Sequence, residues 1–285
     1  MFSSISVPSG IGDLSWMYSK LKHVEPLTWL VAEGWPARSV PFLRMLPEVK
    51  DADYSRFDYG DIVRFEQVTG IGHTPTWSEL SRFQGGNLFL EANTHLEQGK
   101  PLKDWLPDLP TDYHYDVVIP EEEARRARKL IQSLQRPIWG ISAASYRGAE
   151  AWKTWGVKPW MEFLSRWKEF AGGSVLLLGA NWDDLTFALA CDGGYTDLVG
   201  KTSVPMALSI VKEIEGYIGF SSGLGIVRTV FNKPTLMMWP EHQVELSRSW
   251  ADPEMLELGS YIAAQWLEPE EVFAVAKSWH RRNYE

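Results

Sequence analysis

The residues best suited to chemistry lie in a turn of serines and glycines late in the chain. An apolar run from Tyr217 ends at Ser221-Ser222-Gly223-Leu224-Gly225, and a segment with helical patterning follows. Small residues let a ligand approach the backbone, and the start of a helix offers N–H groups that have no partner within the helix. Because such helix starts bind anions, the turn predicts a ligand that carries phosphate.

A second candidate is the Gly10-Ile11-Gly12-Asp13 segment near the N-terminus. Gly10 and Gly12 permit close approach of a ligand to the backbone. Asp13 has two interpretations: it caps the following helix, or it acts as a general base that takes a proton from an acceptor hydroxyl. The residue types alone leave both open.

Three further loops follow predicted strands. The first holds Ser145, Arg147 and Lys153, and its two cations suit a diphosphate whose negative charge grows as it leaves. A solvated loop with surface charges is the alternative. The other two loops, 179–184 and 199–203, could hold ribose hydroxyls and a base edge, but such loops are common.

Several other site classes find no support in the sequence. There is no G-x-G-x-x-G fingerprint, no Walker A lysine, no G-x-S-x-G elbow and no Cys/His cluster. Asp51-Ala52-Asp53 has the spacing of an Asp-x-Asp metal motif, but it lies in an irregular region and is interpreted as a solvated turn. We therefore predict no metal site.

Strands and helices alternate along the chain, which predicts an α/β fold with doubly wound parallel sheets. In the second half, strands are predicted over 137–142, 174–179, 196–199, 217–220 and 235–239, and helices over 158–170, 183–191, 205–214 and 269–282. In the first half, strands are predicted over 5–7, 27–32 and 87–91, and helices over 14–23 and 121–135. Residues 50–85 show no clear pattern.

The two halves predict two similar domains. We place the first domain at residues 1–136, the second at 137–268, and a terminal helix at 269–285 that packs back on the first. Parallel α/β sheets bind ligands at the carboxyl ends of their strands. Two such domains facing across a cleft suit a transferase that brings a donor and an acceptor together.

Composition narrows the class of protein further. The chain has 285 residues, a formal net charge of -9 and one cysteine, Cys191. The acidic charge disfavours general nucleic-acid binding, and the single cysteine fits a reducing cytoplasm. No run approaches the roughly 20 apolar residues that span a bilayer, and the N-terminus lacks the pattern of a signal peptide.

The order of these motifs resembles glycosyltransferase family 9, the family of the lipopolysaccharide heptosyltransferases. The similarity covers most of the C-terminal half and the opening of the N-terminal half. A Gly-Asp turn matches at Gly12-Asp13, and a basic K-x-W element matches at Lys153-Thr154-Trp155. A strand-end glycine followed by an acidic residue matches at Gly179 with Asp183 or Asp184, and a V-G-K-T-S stretch matches at Val199–Ser203.

The late turn departs from the family pattern D-[ST]-G-x-x-H. Ser221 stands where the family has aspartate, and Ile226 stands where it has histidine, although Gly223 and the later Lys233-Pro234 remain. Two polar contacts to the donor are thus missing or replaced, so heptose is not carried over. The opening segment and Ser249–Pro253 also resemble shortened family 9-like proteins of bacteriophages.

The resemblance implies a GT-B fold, that is, two Rossmann-like domains with the nucleotide-sugar donor on the C-terminal one and the acceptor on the N-terminal one. It also implies no bound metal and no cofactor besides the donor substrate. Under this hypothesis Asp13 is the general base, and Gly10 and Gly12 form the acceptor-side loop. The donor-binding residues would be Ser145, Lys153, Asp184, Lys201, Thr202, Ser221, Ser222, Gly223 and Leu224.

Three other functions stay open from the sequence. The acceptor could be a hydroxymethylated base in phage DNA instead of a glycan, with a basic stripe at Arg125, Arg126, Arg128 and Lys129 as a local contact. The chain could bind a sugar nucleotide without catalysis. A nicotinamide-dependent oxidoreductase would share the doubly wound sheet but lacks its fingerprint loop.

Overall fold

The computed structural model describes residues 4–31, 36–54, 72–80, 88–144, 155–181, 183, 194–257, 261–263 and 267–285. They divide into two compact units. Unit 1 consists of Met1–Val118 with Glu245–Ala251, and unit 2 consists of Ile119–Val244 with Asp252–Glu285. Among the described residues, no helix combines the length and apolar character needed to cross a membrane.

Unit 1 contains a sheet of three parallel strands in the order β1-β2-β3. Alternate residues of β1 and β2 are buried, as expected where one face of a strand packs more closely than the other. The elements are β1 Ser4–Val7, α1 Ile11–Leu21, β2 Leu27–Val31, α2 Pro36–Leu43, β3 Val49–Tyr54, α3 Trp77–Leu80, α4 Leu88–Glu97 and a 3-10 turn at Leu102–Asp104.

Unit 2 contains a sheet of six parallel strands in the order β6-β5-β4-β7-β8-β9. Every residue of β4, β7 and β8 is buried, which is typical of strands covered by helices on both faces. The elements are α5 Glu121–Gln132, β4 Ile138–Ser142, α6 Val157–Ala171, β5 Ser174–Leu177, β6 Thr196–Asp197, α7 Val204–Glu213, β7 Gly216–Phe220, α8 Gly223–Val230, β8 Thr235–Trp239, α9 Glu241–Trp250, α10 Pro253–Glu257, β9 Tyr261–Ala263 and α11 Pro269–Tyr284. Of these, α9 begins in unit 2 and belongs to unit 1 from Glu245 onward.

The core of unit 2 is rich in aromatic side chains. Trp139 of β4 packs edge-on against Trp167 of α6, with ring centroids 5.1 Å apart, and Trp160 is equally buried. Helix α11 adds Val272, Ala276 and Trp279 to the same cluster. The terminal helix therefore packs within unit 2, whereas the sequence led us to expect it on the first domain.

The division between the units falls after Val118, earlier in the chain than the predicted boundary at residue 136. The reason is helix α5, which packs along α7 of unit 2 and buries Ala127 and Ile131. The predicted boundary relied on the Arg136-Pro137 step and so assigned α5 to the first domain.

Two local predictions were also wrong. Residues 87–91 were expected to form a strand, but Leu88–Glu97 is a helix whose buried residues Leu88, Ala92 and His95 follow helical spacing. Asp51-Ala52-Asp53 lies in strand β3 and not in a turn: Ala52 is buried, and both carboxylates are exposed. The helix predicted over 183–191 lies almost wholly outside the described residues.

Candidate functional site

The strand order of unit 2 reverses between β4 and β7. From β4 the sheet grows through β5 to β6, and from β7 it grows in the opposite direction through β8 to β9. Ser142, at the end of β4, pairs with Gly219 of β7. Connections leave such a switch point in opposite directions, and ligands of open α/β sheets bind in the crevice they create.

The turn after β7 lies at this switch point. Ser221 donates its N–H to the carbonyl of Met238, at 3.0 Å. Ser222 is the N-cap of α8, and its Oγ accepts from the N–H of Gly225, at 3.3 Å. The N–H groups of Gly223 and Leu224 come before the first residue that can donate within the helix. Because Ser222, Gly223 and Leu224 are also partly exposed, this helix start is open to an anion.

Tyr217 of β7 lies beneath the turn and was not among the predicted site residues. Its hydroxyl is 2.6 Å from the Oγ of Ser222. Burial raises the pKa of Tyr217 to about 12, so the hydroxyl stays neutral. The only signal in the sequence is one polar group within an apolar strand, which by itself does not separate a site residue from core packing.

The loops after β5 and β6 are joined at the same edge of the sheet. Gly200, with φ +65°, donates its N–H to the carbonyl of Gly179, at 2.9 Å. A Cβ on Gly179 would lie 2.6 Å from Oδ2 of Asp183, which shows that this buried carboxylate lies directly over the glycine. The two loops predicted to hold ribose and base are thus neighbours.

Lys201 forms an ion pair with Asp197. Burial acts to raise the pKa of Asp197, but the Lys201 ammonium and the N–H of Val199 outweigh it and lower that pKa. The Lys201 side chain is exposed, so a ligand contact there would share the ammonium with Asp197. Thr202 lies half-buried in the next position of the turn.

Three of the predicted donor-binding residues, Ser145, Lys153 and Asp184, lie outside the described residues. The described residues resume at Trp155, after the basic loop. The Trp155 ring packs against Trp160 and against Phe220 at the end of β7, with ring centroids 5.2 and 6.0 Å apart. The loop therefore returns to the sheet beside the turn that carries Ser221.

Asp13 belongs to unit 1 and is not a cap residue. The N-cap of α1 is Gly10, without a side-chain cap, and Asp13 lies in the first turn of the helix. Its residue is exposed, and a Cβ on Gly10 would collide with its Oδ2, so the carboxylate lies back over Gly10. Gly12 is buried within the same helical turn. Asp13 thus lies at the surface of the first turn of α1.

The two departures from the family pattern lie in buried positions. Ser221 is 8% exposed and Ile226 is 5% exposed. Ile226 donates its N–H to the carbonyl of Ser222, at 3.1 Å, as an ordinary residue of α8. The apolar side chain of Ile226 therefore serves packing, and the polar surface of the turn is formed by its backbone.

Arg228 anchors the other end of α8. Its guanidinium is fully buried and donates to the carbonyls of Pro234 and Ile214, at 3.0 and 3.2 Å, and also to those of Val211 and Glu215. Burial lowers the pKa of Arg228 to about 10. All these partners are backbone atoms of unit 2, so Arg228 is a structural residue.

No group of three or more metal-binding side chains comes together within the described part of the chain. The site in unit 2 consists instead of a helix start, serine hydroxyls and strand-end loops. Such a set of groups can hold a phosphate and neighbouring hydroxyls.

Solved structures with a similar fold include E. coli ADP-heptose LPS heptosyltransferase II, with a TM-score of 0.65, 15% identity and all of both chains covered. A family 9 glycosyltransferase from Veillonella parvula has a TM-score of 0.62 and 11% identity, with 98% of this chain and 97% of that one covered. The iron-containing dodecameric heptosyltransferase TibC of enterotoxigenic E. coli, solved with ADP-D-beta-D-heptose, has a TM-score of 0.55 and 11% identity, with 98% and 77% covered. These likenesses confirm the GT-B fold that the resemblance implied.

No curated protein matches the chain by sequence. The family profile of glycosyltransferase family 9 (heptosyltransferase) matches residues 84–264, which is more than half of the 285 residues. The matched range includes the turn after β7 and both of the joined loops. The chain belongs to glycosyltransferase family 9 and is a glycosyltransferase.

Proposed function

We propose that this enzyme moves a sugar from a nucleotide-diphosphate sugar to a hydroxyl acceptor and needs no bound metal ion. One observation carries the proposal: the exposed start of α8, capped by Ser222, lies at the switch point of the six-stranded sheet. Its N–H groups and the positive end of the helix dipole would bind the diphosphate.

The donor proposal is supported by what the similar proteins bind. TibC was solved with ADP-D-beta-D-heptose, and heptosyltransferase II is named for ADP-heptose. ADP-sugars are therefore the first donors to test. Identities of 15% or less do not transfer the sugar, and the serine and isoleucine at positions 221 and 226 are a further reason to keep heptose open.

We also propose which residues make the remaining contacts to the donor. Gly223 and Leu224 would meet the diphosphate through their backbone, with Ser145 and Lys153 approaching from the basic loop. Asp184, Lys201 and Thr202 would contact the ribose or the base, since the 179–184 and 199–203 loops are joined at the same sheet edge. The cationic groups and the helix start would together offset the growing charge of the leaving group.

The reaction requires a base on the acceptor side. In the proposal, the Asp13 carboxylate takes the proton of the acceptor hydroxyl while the oxygen attacks the anomeric carbon of the donor. The bond between that carbon and the phosphate oxygen breaks, and the nucleoside diphosphate leaves with the electron pair. Gly10 and Gly12 would let the acceptor approach the backbone beside Asp13.

We propose a glycan hydroxyl as the acceptor in preference to a base in DNA. Within the basic stripe of α5, Arg126 pairs with Glu123 at 3.3 Å and Arg128 pairs with Glu121 at 2.5 Å. These glutamates offset part of the charge that would attract phosphates. A nucleotide-sugar donor and a single cysteine fit a cytoplasmic site of action and a phage or bacterial source.

The proposal is tested with a panel of nucleotide-diphosphate sugars and the matching nucleoside diphosphates. We expect the compounds of this panel that share one nucleoside to raise the melting temperature. The matching sugar donor should then release its nucleoside diphosphate both with and without EDTA. Lys153→Ala should weaken nucleotide affinity about tenfold by calorimetry, whereas Lys158→Ala, an exposed lysine at the start of α6, should leave it unchanged. Absence of any nucleotide binding would refute the donor proposal, and binding without transfer or hydrolysis would identify a non-catalytic binder. Activity lost with EDTA and restored by a metal would refute metal independence.

A further inference from the structure

The hydroxyl of Tyr217 forms a hydrogen bond at the start of α8. It lies 2.6 Å from Ser222 Oγ. Burial raises the pKa of Tyr217, and the side chain of Ser142, on the neighbouring strand β4, lowers it by a smaller amount. Ser142 Oγ itself donates to the carbonyl of Ala144, at 3.3 Å.

The Ser222 hydroxyl has two partners within unit 2. Either hydroxyl can donate in the contact with Tyr217, and the Ser222 oxygen also accepts from the N–H of Gly225. The tyrosine and the helix backbone together fix the direction of the Ser222 side chain.

Two glycines make room for the tyrosine ring. Gly140 pairs with Tyr217 across β4 and β7, and a Cβ there would lie 3.3 Å from Tyr217 Cδ2. A Cβ on Gly225, in the first turn of α8, would lie 3.0 Å from Cε1 and 2.7 Å from Met237 Sδ. The ring is fully buried between the strand and the helix start, so its hydroxyl has little freedom to move.

We propose that Tyr217 is a positioning residue for the donor: it holds Ser222 in its capping rotamer, so that the diphosphate meets the N–H groups of Gly223 and Leu224. The inference rests on the proposed function, because it concerns the same diphosphate site. It differs from that function in assigning a role to a residue that does not touch the ligand. The pre-set cap would lower the cost of ordering the turn when the anion binds.

The test compares Tyr217→Phe with Tyr284→Phe. Tyr284 is the matched control, because its hydroxyl also makes a 2.6 Å hydrogen bond within unit 2, to the carbonyl of Glu215, away from the turn. Both variants should lower the melting temperature similarly. By calorimetry, Tyr217→Phe should weaken the binding of ADP and of inorganic pyrophosphate about fivefold to tenfold, and Tyr284→Phe should change it by less than about twofold.

A double-mutant cycle with Ser222→Ala separates positioning from general loosening. If both residues act through one hydrogen bond, the loss in ADP affinity of the double variant should be clearly smaller than the combined losses of the single ones. Ser142→Ala removes the β4 hydroxyl that also acts on the Tyr217 hydroxyl, with an expected loss of about twofold to fivefold, and it serves if Tyr217→Phe does not fold.

The outcomes distinguish the two proposals. A wild-type protein that binds neither ADP nor pyrophosphate refutes the diphosphate site and the role of Tyr217 together. A wild-type protein that binds, with unchanged affinity in Tyr217→Phe or, failing that variant, in Ser142→Ala, refutes the role of Tyr217 alone. Equal losses in Tyr217→Phe and Tyr284→Phe, or an additive cycle, would refute it as well.

Discussion

At the scale of single residues, Asp13 and Gly10 form one structural pair. The Asp13 carboxylate lies back over Gly10 because that position has no side chain, and a Cβ there would collide with Oδ2. The Gly10 backbone has φ -79°, which any residue can adopt. Gly10 is thus needed for the position of the carboxylate and not for the conformation of the turn.

We therefore predict a graded effect from two substitutions. Asp13→Asn should lower kcat by about 10²-fold to 10⁴-fold, the usual contribution of a general base, and leave nucleotide affinity unchanged. Gly10→Ala should lower kcat by a smaller factor, because it displaces the carboxylate without removing it. The rate of nucleoside diphosphate release measures both. Turnover of Asp13→Asn at the wild-type rate would remove Asp13 from the mechanism.

At the scale of elements, α8 is the helix that joins the site to the core. Its first turn carries the N–H groups that we propose bind the diphosphate, and its last turn carries Arg228, which donates to four carbonyls. Those carbonyls belong to the end of α7, to the turn before β7 and to the turn before β8. Arg228 therefore sets the position of the whole helix relative to the strands on which the site depends.

Removing this anchor should be costly. We expect Arg228→Met to lower the free energy of unfolding by about 2–4 kcal/mol, because several buried carbonyls lose their donor. Urea denaturation measures the loss. Arg248→Met is the control: Arg248 is exposed and pairs with Glu245 at 3.0 Å, so its removal should cost at most about 1 kcal/mol. Equal losses in the two variants would show that Arg228 is no anchor.

At the scale of the whole molecule, acid should act more strongly on unit 1. Burial acts to raise the pKa of Asp108, but the N–H groups of Ser78 and Trp77 outweigh it, so that pKa is lowered. Burial also acts to raise the pKa of Asp112, but its hydrogen bond to Lys22 contributes to a net lowering. Burial also lowers the pKa of His95. In unit 2, the pKa of Asp197 and the pKa of His280 are also lowered.

Each of these groups favours the folded state at neutral pH. A carboxyl with a lowered pKa contributes stability above its unfolded value of 3.8, and this is lost as the pH falls through the folded value. A histidine with a lowered pKa binds its proton more tightly when unfolded, so stability also falls as the pH drops below 6.5. Hydrogen exchange at pH 7 and at about pH 3, below the unfolded carboxyl pKa, should show peptides of residues 88–118 losing protection before those of 204–240. Earlier opening of unit 2 would contradict the prediction.

Prediction from sequence succeeded where the pattern was local. The parallel α/β class followed from alternating strands and helices, and the turn at Ser221 followed from its small residues at the end of an apolar run. The prediction of a strand at 87–91 failed because a short apolar run is compatible with both a helix and a strand. Only the packing of Leu88, Ala92 and His95 decides between the two. The apolar stripe of α5 is narrow and does not indicate which unit covers it, so its place in unit 2 could not be read from the sequence.

The amino-acid sequence by itself determined the fold class, the family and the turn of small residues at Ser221, because these depend on residue types at fixed spacing along the chain. The tertiary structure alone decided the switch point between β4 and β7, the unit to which α5 and α11 belong, and the position of Tyr217 beneath Ser222. The physical reason is that strand order and hydrogen bonding across strands join residues far apart in the chain, and no local pattern records which of them meet.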